Sequence, residues 1–418
     1  MGFLDSYGLI IVFSLTIIIS YFFNLYAKKS GIPAVLMLIG LGIVIHYGLL
    51  FSGKGPLDLA KPLEVLGVIG LILIVLEAAL DLRLQKDKAS LIIRSFLAAL
   101  LGLGGTVYLA SLTLSYFLDI DFLNAMLYTI PLSILSSAII LPSIDDLDKD
   151  KREFMIYEST FSDIIGIVGF YSVLTLLGSS SSEGVYGEVF GNLALTVLFS
   201  VIISYILICV FQNIKGPVKL FLLISILLLL YAVGKMFHLS SLIIILIFGI
   251  ILNNYKLFFK GVLGKLVNME RVEDVLDDMK VITAETSFVV RTFFFILFGW
   301  SVSLISLLSF NVIGLGLLVL VIIYLVRAIV LFVFSGKDIM PQLFLAPRGL
   351  ITILLFFAIP KELAVEADFQ GVLLFVILVS CLVMSWSLVR QKKKLANEMI
   401  DDENEGSPLE NKREIIEE

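Results

Sequence analysis

The chain has 418 residues, of which 59% are hydrophobic and only 16% charged, with a mean hydropathy of +1.05. This composition excludes an ordinary soluble domain and indicates a polytopic α-helical membrane protein. We therefore expect it to contact the lipid membrane and not to bind nucleic acid. The net charge of -6 is concentrated at the end of the chain, because residues 395–418 carry a net charge of -7.

Apolar runs of about 18 to 25 residues, each long enough to cross a bilayer, follow one another along almost the whole chain. They predict thirteen spans in an all-α fold. The spans lie at roughly 7–27, 33–50, 62–82, 91–118, 122–143, 153–178, 187–211, 218–234, 238–253, 281–305, 309–334, 341–360 and 366–389.

Lysine and arginine in the connections predict the orientation, because they are enriched on the cytoplasmic side of membrane proteins. If the N-terminus is outside, twenty basic residues fall on the inner side and four on the outer side. The four outer residues are Lys54, Lys61, Lys235 and Lys361. We therefore expect a multi-pass protein of the cell (inner) membrane with an external N-terminus and a cytoplasmic C-terminus.

Two of the spans contain residues that interrupt a helix. The fifth contains Pro131 followed by Ser133, Ser136 and Ser137, and the twelfth contains the run 345–349, Leu-Ala-Pro-Arg-Gly. Proline removes a backbone donor, and the hydroxyls and the glycine suit an opened helical turn. Interrupted spans seven helices apart predict two inverted six-helix repeats with crossed discontinuous helices, an arrangement in which secondary transporters build ion sites.

The sixth span carries an acid near the middle of the membrane. Asp163 lies about ten residues into this span, which corresponds to a depth of ~15 Å in a hydrocarbon core of ~30 Å. At about 100° per residue, Glu158, Ser159, Ser162 and Asp163 fall on one face of a helix. A carboxylate at this depth is costly and indicates function, here the binding of a small cation or a proton. The competing interpretation is a polar surface for helix packing.

These residues resemble motifs of the cation:proton antiporter superfamily, especially the NhaP-type sodium/proton exchangers. The run 158–163, Glu-Ser-Thr-Phe-Ser-Asp, resembles the E-S-x-x-N-D signature of that group. The run 347–350, Pro-Arg-Gly-Leu, resembles its G-x-R-G-A element, and the run 76–80, Leu-Glu-Ala-Ala-Leu, is similar to its F-E-G-G-L stretch. The resemblance covers roughly residues 7–390.

The resemblance implies a role for each matching residue. Asp163 becomes the cation- and proton-binding carboxylate and Ser159 a cation ligand. Glu77, on the cytoplasmic approach, becomes a further cation- and proton-binding residue that contacts the ion directly or through water. Glu158 and Arg348 become a structural ion pair. The resemblance also implies a homodimer in which a core moves against a dimerising scaffold, with the helices of the two parts interleaved along residues 1–394.

Two departures from the motif affect the expected ion. Residues 135–137 are Leu-Ser-Ser, where the family usually has Thr-Asp-Pro. The stretch 135–139, Leu-Ser-Ser-Ala-Ile, is closer to the S-S-T-A-I of the potassium-efflux branch. Ser162 replaces the asparagine before the essential aspartate. Ser136 and Ser162 thus join the expected cation- and proton-binding residues as neutral oxygen ligands. With these ligands, the transported cation could be potassium as well as sodium or lithium.

The sequence therefore predicts an antiporter that exchanges a monovalent cation for a proton, with electroneutral stoichiometry and a role in pH homeostasis. The alternatives are a gated potassium efflux system and a sensor that keeps the fold without transport. No phosphate-binding loop, metal-spaced cluster or nucleophile with a base is evident, so we expect neither an enzyme nor a cofactor. Arg327 is expected to extend to the inner surface, Arg291 has no assigned partner, and residues 395–418 are expected to form an acidic disordered cytoplasmic tail.

Overall fold

The computed structural model describes residues 6–51, 60–144, 147–178, 185–213, 219–236, 241–261, 263–301, 307, 309–336, 338–365 and 369–404. Every regular element in these ranges is helical. The helices are α1 (Ser6–Ser30), α2 (Ala34–Phe51), α3 (Ala60–Asp81), α4 (Ala89–Leu118), α5 (Phe122–Ser133), α6 (Ser137–Ile140), α7 (Lys149–Gly178), α8 (Val185–Phe211), α9 (Lys219–Met236), α10 (Ser241–Asn253), α11 (Tyr255–Phe258), α12 (Met269–Ser301), α13 (Phe310–Phe334), α14 (Leu350–Phe357) and α15 (Phe369–Asn404).

The all-helical membrane fold is confirmed. Within the described residues, nine helices are long and apolar enough to cross a membrane, and two shorter apolar helices occur at Ile224–Gly234 and Ser241–Asn253. The remaining predicted spans coincide with α3 and with the irregular segment at 341–360 that contains α14. The order of the segments is the predicted one, whereas the number thirteen stays a prediction.

Both predicted interruptions are present, and they meet. Helix α5 ends at Ser133, the backbone is extended at Ile134 and Ser136, and α6 begins at Ser137. The second interruption precedes α14, which begins only at Leu350. The backbone N–H of Ser136 donates to the carbonyl oxygen of Pro347 at 3.0 Å. Polar groups that a continuous helix would satisfy internally are thus satisfied between the two interrupted segments.

Glycines allow helices α2 and α12 to approach each other closely. A Cβ on Gly42 would overlap the carbonyl oxygen of Ile296, and one on Gly299 would overlap that of Ile39. Helices α2 and α12 therefore pack backbone against backbone, as small residues permit in membranes. This packing fixes α12, which carries Arg291, within the bundle.

The C-terminal end differs in part from the predicted tail. Helix α15 continues to Asn404, so its last ten residues, 395–404, belong to the region expected to be disordered. Residues 405–418 lie outside the described residues. The domain boundary at 394 and the disorder expected for residues 405–418 stay predictions.

Candidate functional site

The polar face of α7 is buried, as a site inside a membrane protein requires. Glu158 is 2% exposed, Ser162 2% and Asp163 1%, and Ser159 is fully buried. Thr160, which is 1% exposed, is a further buried polar residue in this part of α7, and its hydroxyl donates to the carbonyl oxygen of Ile156 within the helix. The contacts of the other four decide what the site can do.

Asp163 faces the interruption between α5 and α6. Its Oδ2 accepts a hydrogen bond from the hydroxyl of Ser137, the first residue of α6. Its Oδ1 is buried and has no hydrogen-bond partner among the described residues. No lysine, arginine or histidine in the described part of the chain is within ion-pair distance of Asp163. The carboxyl group therefore keeps one oxygen available to a proton or a cation.

The three predicted serines make other contacts. Ser162 accepts the backbone N–H of Leu135 at 3.0 Å and so holds the interruption against α7. Ser136 packs against Gly349, where a Cβ would overlap the serine hydroxyl. Ser159 donates to the carbonyl oxygen of Met155 at 2.8 Å, within its own helix. Their roles as cation ligands stay predictions.

Ser137 is the residue that the sequence interpretation missed. It adjoins Ser136 in the same run of hydroxyls, and that run was the available signal. Which of the two faces Asp163 depends on the extended backbone at Ile134 and Ser136, because an interruption removes the helical periodicity that assigns residues to faces.

The predicted ion pair between Glu158 and Arg348 is wrong, because Glu158 pairs with Arg327 of α13. The two guanidinium nitrogens Nη1 and Nη2 of Arg327 donate to the two carboxylate oxygens of Glu158 at 3.0 and 3.2 Å. Arg327 also donates to the carbonyl oxygen of Gln342 at 3.0 and 2.9 Å. The expectation that Arg327 extends to the membrane surface is wrong as well, since its side chain is 6% exposed.

Arg348 lies close to this pair without joining it. Arg348 is 2% exposed, and its backbone N–H donates to the hydroxyl of Ser380 at 3.1 Å. Together with Glu158 and Arg327, it lines a cavity of about 20 Å³. That volume accommodates about one water molecule. Glu158 and Arg348 therefore line the same small cavity, and no direct ion pair joins them in the described part of the chain.

Glu77 of α3 pairs with Arg291 of α12. Arg291 Nη2 lies 3.3 Å from Glu77 Oε1, and both side chains are 22% exposed. Arg291, which had no assigned partner in the sequence, thus neutralises the acid expected on the approach to the ion site.

A cleft of about 740 Å³ leads to the interruption. It is lined by the C-terminal parts of α1 and α3, the N-terminal part of α2, residues 284–295 of α12, and Ser136 with the following helix α6, which begins at Ser137. The charged side chains among its described lining residues are Glu77, Asp81, Glu285 and Arg291. Because Ser137 lines the cleft and also contacts Asp163, the cleft and the buried carboxylate meet at this hydroxyl.

The described residues contain no group of three or more histidine, cysteine, aspartate or glutamate side chains placed to hold a metal ion. The candidate site has one carboxylate, that of Asp163, which accepts a hydrogen bond from the Ser137 hydroxyl, so it offers oxygen atoms as donors.

We expect Ser137→Ala to lower the apparent cation affinity of the protein by about tenfold, because a hydrogen bond to a charged group contributes roughly 1.5–3 kcal/mol. The measurement is the concentration dependence of cation-driven proton movement in proteoliposomes. The matched control is Ser136→Ala, which keeps the contact to Asp163 and should change the affinity much less. A larger effect at Ser136 would contradict this assignment.

Comparison with known proteins gives a family and a fold. A family model described as sodium/hydrogen exchanger, transmembrane, matches residues 12–390. A structure of the sodium proton antiporter MjNhaP1 from Methanocaldococcus jannaschii at pH 8 matches with a TM-score of 0.68 and 20% identity, over 91% of this chain and 97% of that chain. An electron-microscopy map of MjNhaP1 gives a TM-score of 0.66 at 20% identity, over 96% and 99% of the two chains. No curated protein sequence matches.

Proposed function

The chain belongs to the transmembrane sodium/hydrogen exchanger family, and on that premise we propose that it exchanges a monovalent cation for a proton, with Asp163 as the shared binding site. This family consists of transporters and not of enzymes. The proposed cycle uses only the transported cation and the proton, without a cofactor.

The observation that carries this proposal is the environment of Asp163. The carboxyl group is buried, it receives one hydroxyl donor from Ser137, and it has no cationic side chain beside it in the described part of the chain. A bare carboxylate in such a place is very unfavourable, so either a proton or a bound cation must neutralise it. Competition for one carboxylate couples the two fluxes, because both loaded forms are neutral and the empty form is not.

The cleft supports a route to this carboxylate from one side of the membrane. Its lining residues Asp81 and Asn24 lie near the C-terminal ends of α3 and α1, at the face to which the basic connections are assigned. We assign this face to the cytoplasm, the N-terminus to the outside, and the protein to the cell (inner) membrane. Acids outnumber arginine in the cleft, which favours the local concentration of cations.

The moving parts are proposed from the family. A core that contains the two interrupted segments moves against a scaffold, and the scaffold forms a homodimer. Asp163 and Ser137 lie on α7 and α6, so both travel with the core, and access to the carboxylate changes sides when the core moves. The bound cation is Na⁺, Li⁺ or K⁺; transport assays with Li⁺, Na⁺, K⁺ and Rb⁺ in liposomes that contain a pH dye decide among them.

We expect the exchange to be electroneutral. Asp163 is the only carboxylate on the buried polar face of α7 without a cationic partner, because Glu158 is bound by Arg327. One proton should therefore leave for each monovalent cation that binds. Transport of Na⁺ or Li⁺ in proteoliposomes, with the voltage set by potassium and valinomycin, should proceed at a rate that does not follow the voltage.

A rate that follows the imposed voltage, or a transient current on a solid-supported membrane, would contradict electroneutral exchange. Liposomes without protein and liposomes with Asp163→Asn serve as controls for leak. Cation flux that continues without proton movement would instead support the gated efflux alternative, and a folded wild type without any flux would support the sensor.

A further inference from the structure

Three membrane helices leave a groove between the ends that we assign to the outside. The groove has a volume of about 500 Å³, and its lining residues belong to the end of α4 and to the beginnings of α13 and α15. Most of them are apolar, among them Phe117, Leu118, Leu315, Leu318, Phe369 and Val372. Pockets for small organic ligands usually have volumes of about 300–1,000 Å³. The groove is therefore large enough to hold one hydrocarbon chain.

Exposed aromatic side chains locate the mouth of the groove at the membrane surface. Tyr116 and Phe117 at the end of α4 are exposed, and so is Phe310, the first residue of α13. Aromatic side chains are enriched where the hydrocarbon core of a membrane meets the headgroups. The groove thus extends from the level of the headgroups into the hydrocarbon core. Because that core contains no water, the guest that an apolar groove takes there is the acyl chain of a lipid.

The polar side chains at the mouth of the groove are acidic or neutral. Asp119 and Asp121 follow the end of α4 and are exposed, and Ser309 and Asn311 line the groove at the beginning of α13. No basic side chain lines the groove in the described part of the chain. Carboxylates attract an ammonium group and repel an anionic headgroup. The hydroxyl and amide oxygens add acceptors for the hydrogen atoms of a primary ammonium group.

The beginning of α13 complements the phosphate of the same lipid. Ser309 precedes this helix, and its side chain makes no capping hydrogen bond. The first backbone N–H groups of a helix have no partner within the helix, and they attract negative charge. A zwitterionic headgroup therefore finds a complement for each of its charges, whereas an anionic headgroup faces two carboxylates without a cation of its own.

We propose that this groove binds one phospholipid whose headgroup ends in a primary ammonium group. The acyl chain lies between α4, α13 and α15, and the ammonium group lies at Asp119. The bound lipid supports the outer ends of three helices, of which α13 carries Arg327, the partner of Glu158. This inference does not depend on the proposed exchange, because binding is measured without transport.

The test uses the purified full-length protein in detergent micelles. These contain phosphatidylethanolamine, phosphatidylcholine or phosphatidylglycerol with identical acyl chains. Native mass spectrometry identifies the retained lipids, and the unfolding temperature reports their stabilising effect. We expect the wild type to retain phosphatidylethanolamine in preference to the other two lipids, and this lipid to raise the unfolding temperature most. Equal retention of all three lipids would overturn the proposal.

The variant Gly314→Leu assigns the retained lipid to the groove. Gly314 lines the groove, and a Cβ on it would meet no atom within 4 Å, so a leucine side chain would occupy the groove without a clash with the protein. We expect the retention of phosphatidylethanolamine to fall about tenfold, because the added side chain competes for the volume of the acyl chain.

The matched control is Gly104→Leu in α4. A Cβ on Gly104 also meets no atom within 4 Å, but Gly104 does not line the groove. Both variants replace a helical glycine by leucine and so change helix propensity equally. Gly104→Leu should retain the lipid as the wild type does. Equal retention by the two variants would place the lipid elsewhere and overturn the proposal.

The variant Asp119→Asn tests the assignment of the headgroup. Asp119 has a φ of 52°, a conformation that asparagine also adopts readily, so the backbone should not change. The preference for phosphatidylethanolamine over phosphatidylglycerol should fall about two- to fivefold, as expected for the loss of an exposed ion pair. An unchanged preference would contradict the position of the ammonium group at Asp119.

If Gly314→Leu does not fold, Gly314→Ala replaces it, with a smaller loss of lipid because it adds only one methyl group. Unchanged retention by a folded Gly314→Ala variant, together with an unchanged preference of Asp119→Asn, would overturn the proposal. A changed oligomeric state with unchanged lipid retention would show that a second copy of the chain occupies the groove, and would overturn it as well. A wild type without exchange would reject the proposed function and leave the lipid site standing.

Discussion

Asp163→Asn should abolish cation-dependent proton movement and leave the protein folded. An amide has nearly the same volume as the carboxyl group and can still accept the hydrogen bond from Ser137, but it cannot exchange a proton or neutralise a cation. We expect a loss of at least about 100-fold in rate, the range over which a positioned proton-transfer group contributes. The measurement is cation-driven proton flux in proteoliposomes, with elution profile and thermal stability as tests of folding.

The matched control for this substitution is Asp81→Asn. Asp81 lines the cleft near the end of α3, away from the interruption. Its replacement by asparagine removes one negative charge, as the replacement of Asp163 does. It should lower the rate at low cation concentration and retain exchange at saturation. Near-normal exchange by a well-folded Asp163→Asn variant would end the proposed mechanism.

Removal of one partner of the pair between Glu158 and Arg327 should destabilise the protein by about 3–5 kcal/mol, because a buried charge is left without its counter-charge. The variants Glu158→Gln and Arg327→Met test this, and removal of both should cost less than the sum of the single losses. Thermal stability in detergent, measured for both single variants and the double variant, gives the coupling energy.

The same cycle with Arg348→Met in place of Arg327→Met is the control. Arg348 shares the small cavity with Glu158 but makes no direct ion pair, so its coupling to Glu158 should be clearly the smaller of the two. A larger coupling energy of Glu158 with Arg348 than with Arg327 would show that Glu158 and Arg348 form the ion pair expected from the sequence. Simple additivity in both cycles would mean that neither arginine stabilises Glu158.

The membrane class and the locations of both interruptions could be predicted because they depend on local chemistry. Apolar runs set the spans, and proline, serine and glycine at 131–137 and 345–349 mark where a helix cannot continue. The depth of Asp163 follows from counting along a regular helix. The buried position of Asp163 on α7 could thus be predicted from the chain alone.

The choice of Ser137 over Ser136 could not be predicted. In an extended stretch, neighbouring side chains point to opposite sides, so a shift of one residue exchanges the hydroxyl that faces α7. The bonds that fix this register come from elsewhere in the fold, namely from Pro347 and from Ser162.

The sequence by itself determined that this chain crosses a membrane and that two of its helices are interrupted. It also determined that acids and arginines lie within the spans. Tertiary structure alone decided which charges meet, pairing Glu158 with Arg327 and Glu77 with Arg291, residues that lie 169 and 214 positions apart. Burial demands that each charge find a partner, but it does not say which one. The partner depends on how α13 and α12 are rotated and packed against α7 and α3, and this is set by contacts along the whole bundle.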